Sequence, residues 1–217
     1  MNNFDRYYNQ LFYEQLGGQQ NIGIFPGAFK PPHMGHFYTA LNACRDNDEV
    51  YIFVSKKPRA LTTQKIATPK GAKDCDINRY SNFMKNDKYT SNLASIGPPG
   101  CERLTSASAL RAAISLKDKN TIFKNIPDMV DKQVIYDVLM QSNISKADNY
   151  GHISIQQTMI IWNYYKSALA KNSKLDESKI KIIVSDVSPV KDTYDLVNNI
   201  NQSDVASNTN IKLYVGE

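Results

Sequence analysis

Short apolar runs alternate along this chain with longer stretches in which apolar side chains recur at helical spacing. The apolar runs have the length of strands, and their continuous hydrophobicity is typical of parallel strands that are buried on both faces. They lie at residues 22–26, 49–55, 180–185 and 211–215, with a shorter one at 93–96. This alternation predicts an α/β fold with a doubly wound parallel sheet of about five strands.

The helical spacing is clearest in three stretches. Residues 1–20 predict an N-terminal amphipathic helix, and residues 33–44 predict a helix directly after the first strand. Residues 153–171 predict a long helix with Trp162 at the edge of its apolar stripe, where packing in the core is a better interpretation than base stacking. The predicted stripe consists of Ile160, Ile161, Tyr164 and Leu169.

Length and composition limit the class of protein. A chain of 217 residues suits a single domain spanning residues 1–217, with polar stretches at 60–72 and 141–152 as candidate linkers and a structural or solvated His152. No apolar stretch reaches the roughly 18 residues of a membrane span. The N-terminus lacks the regions of a signal peptide, and three scattered cysteines do not form a disulfide framework. A cytoplasmic, reducing compartment is therefore expected.

The net charge of +5 suits a protein that handles polyphosphates. It is also compatible with weak nucleic-acid contact, but no dense basic run supports that partner. No carboxylate cluster marks a metal site held by the protein. A homo-oligomer is compatible with the sequence.

The most informative motif follows the first strand, where residues 27–36 read GAFKPPHMGH. Backbone N–H groups at such a strand-to-helix turn are expected to point at an anion, and the helix dipole favours negative charge there. Gly27 and Gly35 leave room where a phosphate and a helix approach the backbone. His33 and His36 lie on one helical face and can reach the same phosphate. A loop with a solvated histidine pair is the weaker alternative.

A second motif, residues 105–114, reads TSASALRAAI and predicts the capped start of an amphipathic helix. Ser106 and Ser108 offer hydroxyl groups to a phosphate, and Arg111 offers a planar guanidinium for its oxygens. A capped helix with a surface arginine is the alternative, and it would explain this segment equally well if the segment stood alone.

Charged side chains follow two further strands. Lys56, Lys57 and Arg59 come after the second strand, and the carboxyl ends of parallel strands meet at one edge of a sheet. They are candidates for binding the phosphate of an acceptor substrate, with a solvated surface as an equal alternative. Lys191 and Asp192, after residues 180–185, are weaker candidates, because a capped turn also explains them.

The motifs at residues 27–36 and 105–114 resemble the two signatures of the HxGH nucleotidyltransferase superfamily. These signatures are G-x-F-x-P-x-H-x-G-H and S-x-T-x-x-R, and Ser108 stands at the threonine position of the second. The superfamily includes nicotinamide mononucleotide adenylyltransferase, pantetheine-phosphate adenylyltransferase and glycerol-3-phosphate cytidylyltransferase. The resemblance implies a Rossmann-like sheet. It also implies attack by a substrate phosphate on the α-phosphorus of ATP or CTP, with release of pyrophosphate and with Mg²⁺ present. Nicotinamide mononucleotide is the leading acceptor, although no residue selects it.

The resemblance also assigns roles. His33, His36, Lys30 and Arg111 would be catalytic, with His36 the main partner of the α-phosphate and Lys30 on either the triphosphate or the acceptor. The nucleotide-binding positions would be Gly27, Ala28, Phe29, Gly35, Ser106, Ser108 and Gly216. A nucleotide-binding module of the same fold without turnover is the alternative, and a nucleic-acid-binding protein is a more distant one.

The order of the segments differs from that of the family. Residues 73–143 resemble the family's C-terminal part, yet they precede the helix and strands of residues 153–217. Reading residues 73–80 directly after Glu217 restores the family's passage from strand to loop. The sequence therefore predicts a permuted segment order within the Rossmann-like fold.

Overall fold

The computed structural model of the protein describes residues 20–57, 59–60, 92–95, 107–141, 152–203 and 208–215. For residues 59–60, 92–95, 152 and 215 it describes the backbone alone. The described strands are β1 (Gln20–Gly27), β2 (Glu49–Ser55), β3 (Arg59–Ala60), β4 (Asn92–Ser95), β5 (His152–Ile153), β6 (Ile180–Ser185) and β7 (Thr209–Val215). The described α-helices are α1 (Met34–Asp46), α2 (Ala107–Ser115), α3 (Lys119–Lys124), α4 (Lys132–Met140), α5 (Ile155–Asn172) and α6 (Pro189–Asn201).

Five of these strands form one parallel sheet in the order β4-β7-β1-β2-β6. β1 is central, and the chain places strands outward from it in both directions. In such sheets ligands bind beyond the carboxyl ends of the strands, where the direction of winding changes. Here that change lies beside β1, so the GAFKPPHMGH motif follows the strand at the expected binding edge. The predicted α/β fold with a parallel, Rossmann-like sheet is confirmed.

β2 shows how the apolar runs become strands buried on both faces. Val50, Ile52 and Val54 pack into one apolar cluster, and Tyr51 and Phe53 pack into another on the opposite face, as the two-residue period of a strand requires. The first cluster also contains Phe37 of α1, Leu110 of α2, Ile122 of α3, Ile135 of α4 and Trp162 of α5. The second contains Leu196, Val197 and Ile200 of α6. Helices therefore cover both faces of the sheet.

The long helix α5 buries a different face from the predicted one. Ile161 and Leu169 are buried as expected, but Ile160 and Tyr164 are 41% and 45% exposed. Trp162 is fully buried rather than at the edge, because its indole packs between aromatic rings of the strand-to-helix segment. The interpretation of Trp162 as a core residue is confirmed. The buried face consists of Gln157, Thr158, Ile161, Trp162, Tyr165, Ala168 and Leu169.

The predicted linkers are structured where the model describes them. Ala60 of β3 pairs with His152 of β5 in a small antiparallel sheet, and Gln141 is the C-cap of α4. These three residues were expected in linkers, a prediction based on polarity alone. The rest of both linkers lies outside the described residues. The helix predicted for residues 1–20 lies there too, except for Gln20, which begins β1.

Within the described part of the chain, no helix combines the length and apolar character that a membrane span requires.

Candidate functional site

His33 and His36 form the start of α1. His33 is the N-cap residue, and its Nδ1 accepts a hydrogen bond from the Gly35 backbone N–H at 3.1 Å. The His33 backbone N–H donates to Nδ1 of His36 at 3.2 Å, which completes a reciprocal capping arrangement. The imidazole rings stack with their centroids 3.7 Å apart. The prediction that both rings share one helical face is confirmed.

These contacts determine which ring nitrogen carries a proton. Because Nδ1 of His33 and of His36 accepts a backbone N–H, the proton of each neutral ring lies on Nε2. Burial and the neighbouring His33 lower the pKa of His36 well below its ordinary value. His36 is therefore neutral at pH 7, and its Nε2–H is a hydrogen-bond donor that needs no positive charge.

The backbone of this turn differs from the expectation. The Met34 N–H donates to the carbonyl oxygen of Asn125 at 2.7 Å, and the Gly35 N–H donates to His33. The first N–H groups of α1 thus have partners within the protein. The expectation that they point at an anion is wrong for these two groups.

Gly27 and Phe29 are coupled by packing. A Cβ on Gly27 would lie 2.5 Å from Cζ of Phe29, so the absence of a side chain makes room for this ring rather than for a phosphate. Phe29 has φ of 48°, a conformation that is rare for a bulky residue. Its buried ring contacts His36 and Trp162 edge to face, with centroids 4.9 and 5.1 Å away. The Phe29 ring therefore packs against the His36 ring of the histidine pair. The neighbouring Ala28 is half-buried.

Lys30 is the most unusual charged residue of the site. It is 1% exposed, and its Nζ donates to Oγ1 of Thr158 at 3.2 Å. Burial lowers the pKa of Lys30 to about 8. Among the described residues the Lys30 ammonium has no carboxylate partner, and its hydrogen bond goes to a neutral hydroxyl group.

Arg111 joins the second motif to the first. Its Nη1 donates to the carbonyl oxygen of Lys30 at 2.7 Å, and its Nη2 donates to Oγ of Ser108 at 2.8 Å. The two motifs are 81 residues apart at this contact. The structure therefore brings Lys30, His33, His36, Ser108 and Arg111 together. Ser106 and Gly216 lie outside the described residues.

The predicted acceptor-binding residues are not linked to this group by any described contact. Lys56 forms an exposed ion pair with Asp186 at 2.9 Å, and Lys191 pairs with Asp195 within α6. Lys57 is exposed, Asp192 lies in the first turn of α6, and of Arg59 only the backbone is described. Their assignment stays a prediction, and Lys191 already has a carboxylate neighbour.

Sequence reasoning missed Thr158 and Asn125. Both reach the motif through tertiary contacts. The Lys30–Thr158 pair joins residues 128 positions apart, and Asn125 follows α3 while its partner Met34 begins α1. Neither carries a local signal, because a threonine in a helix and an asparagine at a helix C-cap are ordinary residues at those positions.

The described residues contain no group of three or more histidine, cysteine or acidic side chains that would hold a metal ion. Comparisons of the chain with family models, with curated proteins and with solved structures give no significant match.

Proposed function

We propose that the protein is a nucleotidyltransferase that transfers a nucleoside monophosphate from ATP or CTP to a small phosphate-bearing acceptor, of which nicotinamide mononucleotide is the leading one. The observation that carries the proposal is the meeting of the two motifs. Arg111 is hydrogen-bonded to Lys30, whose buried ammonium lies in the turn that leads to the stacked histidines. Such a group of nitrogen donors and a hydroxyl group suits a polyphosphate.

The reaction is an in-line displacement at the α-phosphorus. An oxygen of the acceptor phosphate forms a bond to this phosphorus, the bond to the bridging oxygen of the β-phosphate breaks, and pyrophosphate leaves with that electron pair. Negative charge grows on the α-phosphate oxygens and on the leaving group, so fixed donors stabilise the transition state. The Nε2–H of His36 would donate to the α-phosphate, with His33 beside it. Arg111 and Ser108 would hold the β- and γ-phosphates.

Mg²⁺ would enter as a complex with the triphosphate. Because the described site consists of nitrogen donors and a hydroxyl group, it does not fit a metal centre held by the protein. The ion would neutralise phosphate charge, and no step of the proposal requires a protein ligand for it.

The strand order supports the HxGH type and the permuted order. In space the strands run β6-β2-β1-β7-β4, which matches the Rossmann order 3-2-1-4-5 if β4 is counted after β7. β4 precedes β6 and β7 in the chain, as a transposed C-terminal segment would. We infer that residues 73–143 are the family's C-terminal part placed ahead of residues 153–217.

The test is release of pyrophosphate with Mg²⁺ and ATP or CTP, against a panel of phosphate-bearing acceptors. We expect His36→Ala to abolish release and Arg111→Ala to weaken triphosphate binding. Tyr38→Ala, an exposed change on the same helix, is the matched control. Triphosphate binding without pyrophosphate from any acceptor would favour a binding module, and steeply salt-dependent affinity for oligonucleotides alone would favour a nucleic-acid-binding protein.

A further inference from the structure

Thr158 contacts the site from an element that belongs to neither motif. It lies in the first turn of α5, is fully buried, and accepts the hydrogen bond of the Lys30 ammonium. We propose that Thr158 is a positioning residue that holds Lys30 in place for the triphosphate. This inference rests on the proposed function and adds to it a residue outside the two motifs.

The hydrogen bonds around Thr158 fix the direction in which its hydroxyl group acts. A threonine hydroxyl has one proton, and here it is donated to the carbonyl oxygen of Ser154 at 2.8 Å. The lone pairs are therefore the part that faces Lys30. Ser154 is in turn fixed by reciprocal hydrogen bonds with Gln157 at 3.0 and 3.1 Å. The start of α5 thus presents an acceptor of set orientation to the ammonium.

The neutrality of this acceptor matters for binding an anion. A carboxylate at this position would hold Lys30 more strongly, but it would also cancel the charge that attracts a phosphate. A hydroxyl group fixes one of the three N–H donors of the ammonium and keeps the positive charge. In the proposed role, the remaining donors of the ammonium would bind ligand oxygens.

Among the residues that the structure describes, the ionisable groups of the two motifs beside Lys30 are nitrogen bases. His33, the N-cap residue of α1, and His36 in the first turn of α1 follow it in the chain, and Arg111 of α2 donates to its carbonyl oxygen. None of these groups stabilises a positive charge on Lys30. Loss of the Thr158 acceptor should therefore lower the pKa of Lys30 below about 8 and move the loss of triphosphate binding to a lower pH.

The chain offers a closely matched control. Thr193 of α6 is also fully buried, and its Oγ1 donates to the carbonyl oxygen four residues earlier at 2.8 Å, as that of Thr158 does. Thr193 packs on the opposite face of the sheet and does not contact Lys30. Thr158→Val and Thr193→Val therefore remove the same local hydrogen bond, and Thr158→Ser keeps the acceptor.

The first readout needs no ligand. Reductive methylation of the folded variants, followed by peptide mass spectrometry, measures how fast Lys30 reacts. We expect Lys30 to be protected in the wild type, Thr158→Ser and Thr193→Val, and to react severalfold faster in Thr158→Val. Equal rates in the two valine variants would overturn the inference, whether or not the protein proves to bind a triphosphate.

The second readout is the affinity for Mg²⁺–ATP and Mg²⁺–CTP between pH 6 and 9. Thr158→Val should weaken binding of the triphosphate by about tenfold, as for loss of a hydrogen bond to a charged group, and the pH midpoint should fall. Thr193→Val should do neither. Labelling as expected together with no binding by the wild type would instead refute the proposed function and confirm that Thr158 holds Lys30.

Discussion

At the scale of single residues, Lys30 combines a charged ammonium group with burial, and burial disfavours the charged form. Its ammonium is buried, and among the described residues its hydrogen-bond partner is a neutral hydroxyl group. Burial lowers its pKa from 10.5 to about 8. The folded state is therefore less stable at neutral pH than it would be with an apolar side chain. In the proposed function, the negative charge of a bound phosphate would relieve this penalty, which would explain a lysine at such a position.

We predict that Lys30→Met stabilises the folded protein at pH 7 while it removes triphosphate binding. A depression from 10.5 to about 8 corresponds to at most about 3 kcal/mol, and the lost hydrogen bond reduces the gain. Between pH 8 and 10.5, Lys30 keeps its ammonium proton in the unfolded chain and loses it in the folded chain. Wild-type stability should therefore rise with pH through this window relative to the variant, as measured by urea unfolding at pH 7 and pH 10.

Lys57→Met is the control, because Lys57 is an exposed lysine at the same edge of the sheet. The difference in the free energy of unfolding between Lys57→Met and the wild type should be the same at pH 7 and pH 10. A Lys30→Met protein that is less stable than the wild type by the same amount at both pH values would contradict the account of a buried, unpaired ammonium.

The sequence predicted the motif residues better than their contacts. The spacing of His33 and His36 was sufficient to place both rings on one face, because helix geometry is local. The reason for Gly27 could not be predicted, since it depends on where the ring of Phe29 lies. Thr158 was also beyond prediction, because its contact with Lys30 joins residues 128 positions apart.

At the scale of elements, α5 supplies both the core of one layer and the acceptor for Lys30. Its buried face passes from Thr158 through Trp162 and Tyr165 to Leu169. Trp162 packs edge to face against Phe29, which contacts His36, and Tyr165 packs edge to face against Trp162. Movement of this helix would therefore shift Thr158, so the packing of α5 and the geometry of the site are linked.

The two adjacent isoleucines of α5 test this assignment. Ile160 is 41% exposed and Ile161 is fully buried. We expect Ile161→Ala to cost about 2–5 kcal/mol in the free energy of unfolding, and Ile160→Ala less than about 0.5 kcal/mol. Chemical denaturation of both variants measures the difference. Equal losses of stability would contradict the observed orientation of α5 and favour the predicted stripe, in which both isoleucines are buried.

The location of α5 was predictable and its orientation was not. A run from Ile153 to Lys171 with recurring apolar side chains is sufficient to predict a helix, and the helix spans Ile155–Asn172. Ile160, Ile161 and Trp162 are consecutive. Spacing alone is therefore compatible with a buried stripe that contains Ile160 and with one that contains Trp162. Packing of the large indole against Phe29 selects the observed one.

At the scale of the whole molecule, the sequence predicted the layers and the parallel sheet. Strand neighbours are set by tertiary pairing, and the pairing of β4 with β7 joins segments far apart in the chain. The small β3–β5 sheet was missed because its two strands have two residues each and no alternating pattern. Local hydrophobicity contains no signal for such short pairings.

The proposed segment order makes a prediction about the chain as a whole. Moving residues 73–143 to follow Glu217 through flexible linkers should leave the strand positions and the triphosphate affinity unchanged, because the same neighbours can pair. Circular dichroism during thermal unfolding measures whether the relocated variant keeps its folded secondary structure, and titration with the triphosphate measures the affinity. The control is a variant in which the segment placed after Glu217 has the same composition as residues 73–143 but a scrambled sequence. A relocated variant that unfolds as the scrambled one does would contradict the proposed order.

The central claim, transfer of a nucleotidyl group, is tested most directly by following the two ends of the triphosphate. One reaction contains ATP or CTP labelled at the α-phosphate, and a parallel reaction contains the same nucleotide labelled at the γ-phosphate. We predict that the α-label appears in the acceptor product and the γ-label in pyrophosphate, with both lost in His36→Ala. Appearance of the γ-label in inorganic phosphate or in the acceptor would contradict nucleotidyl transfer.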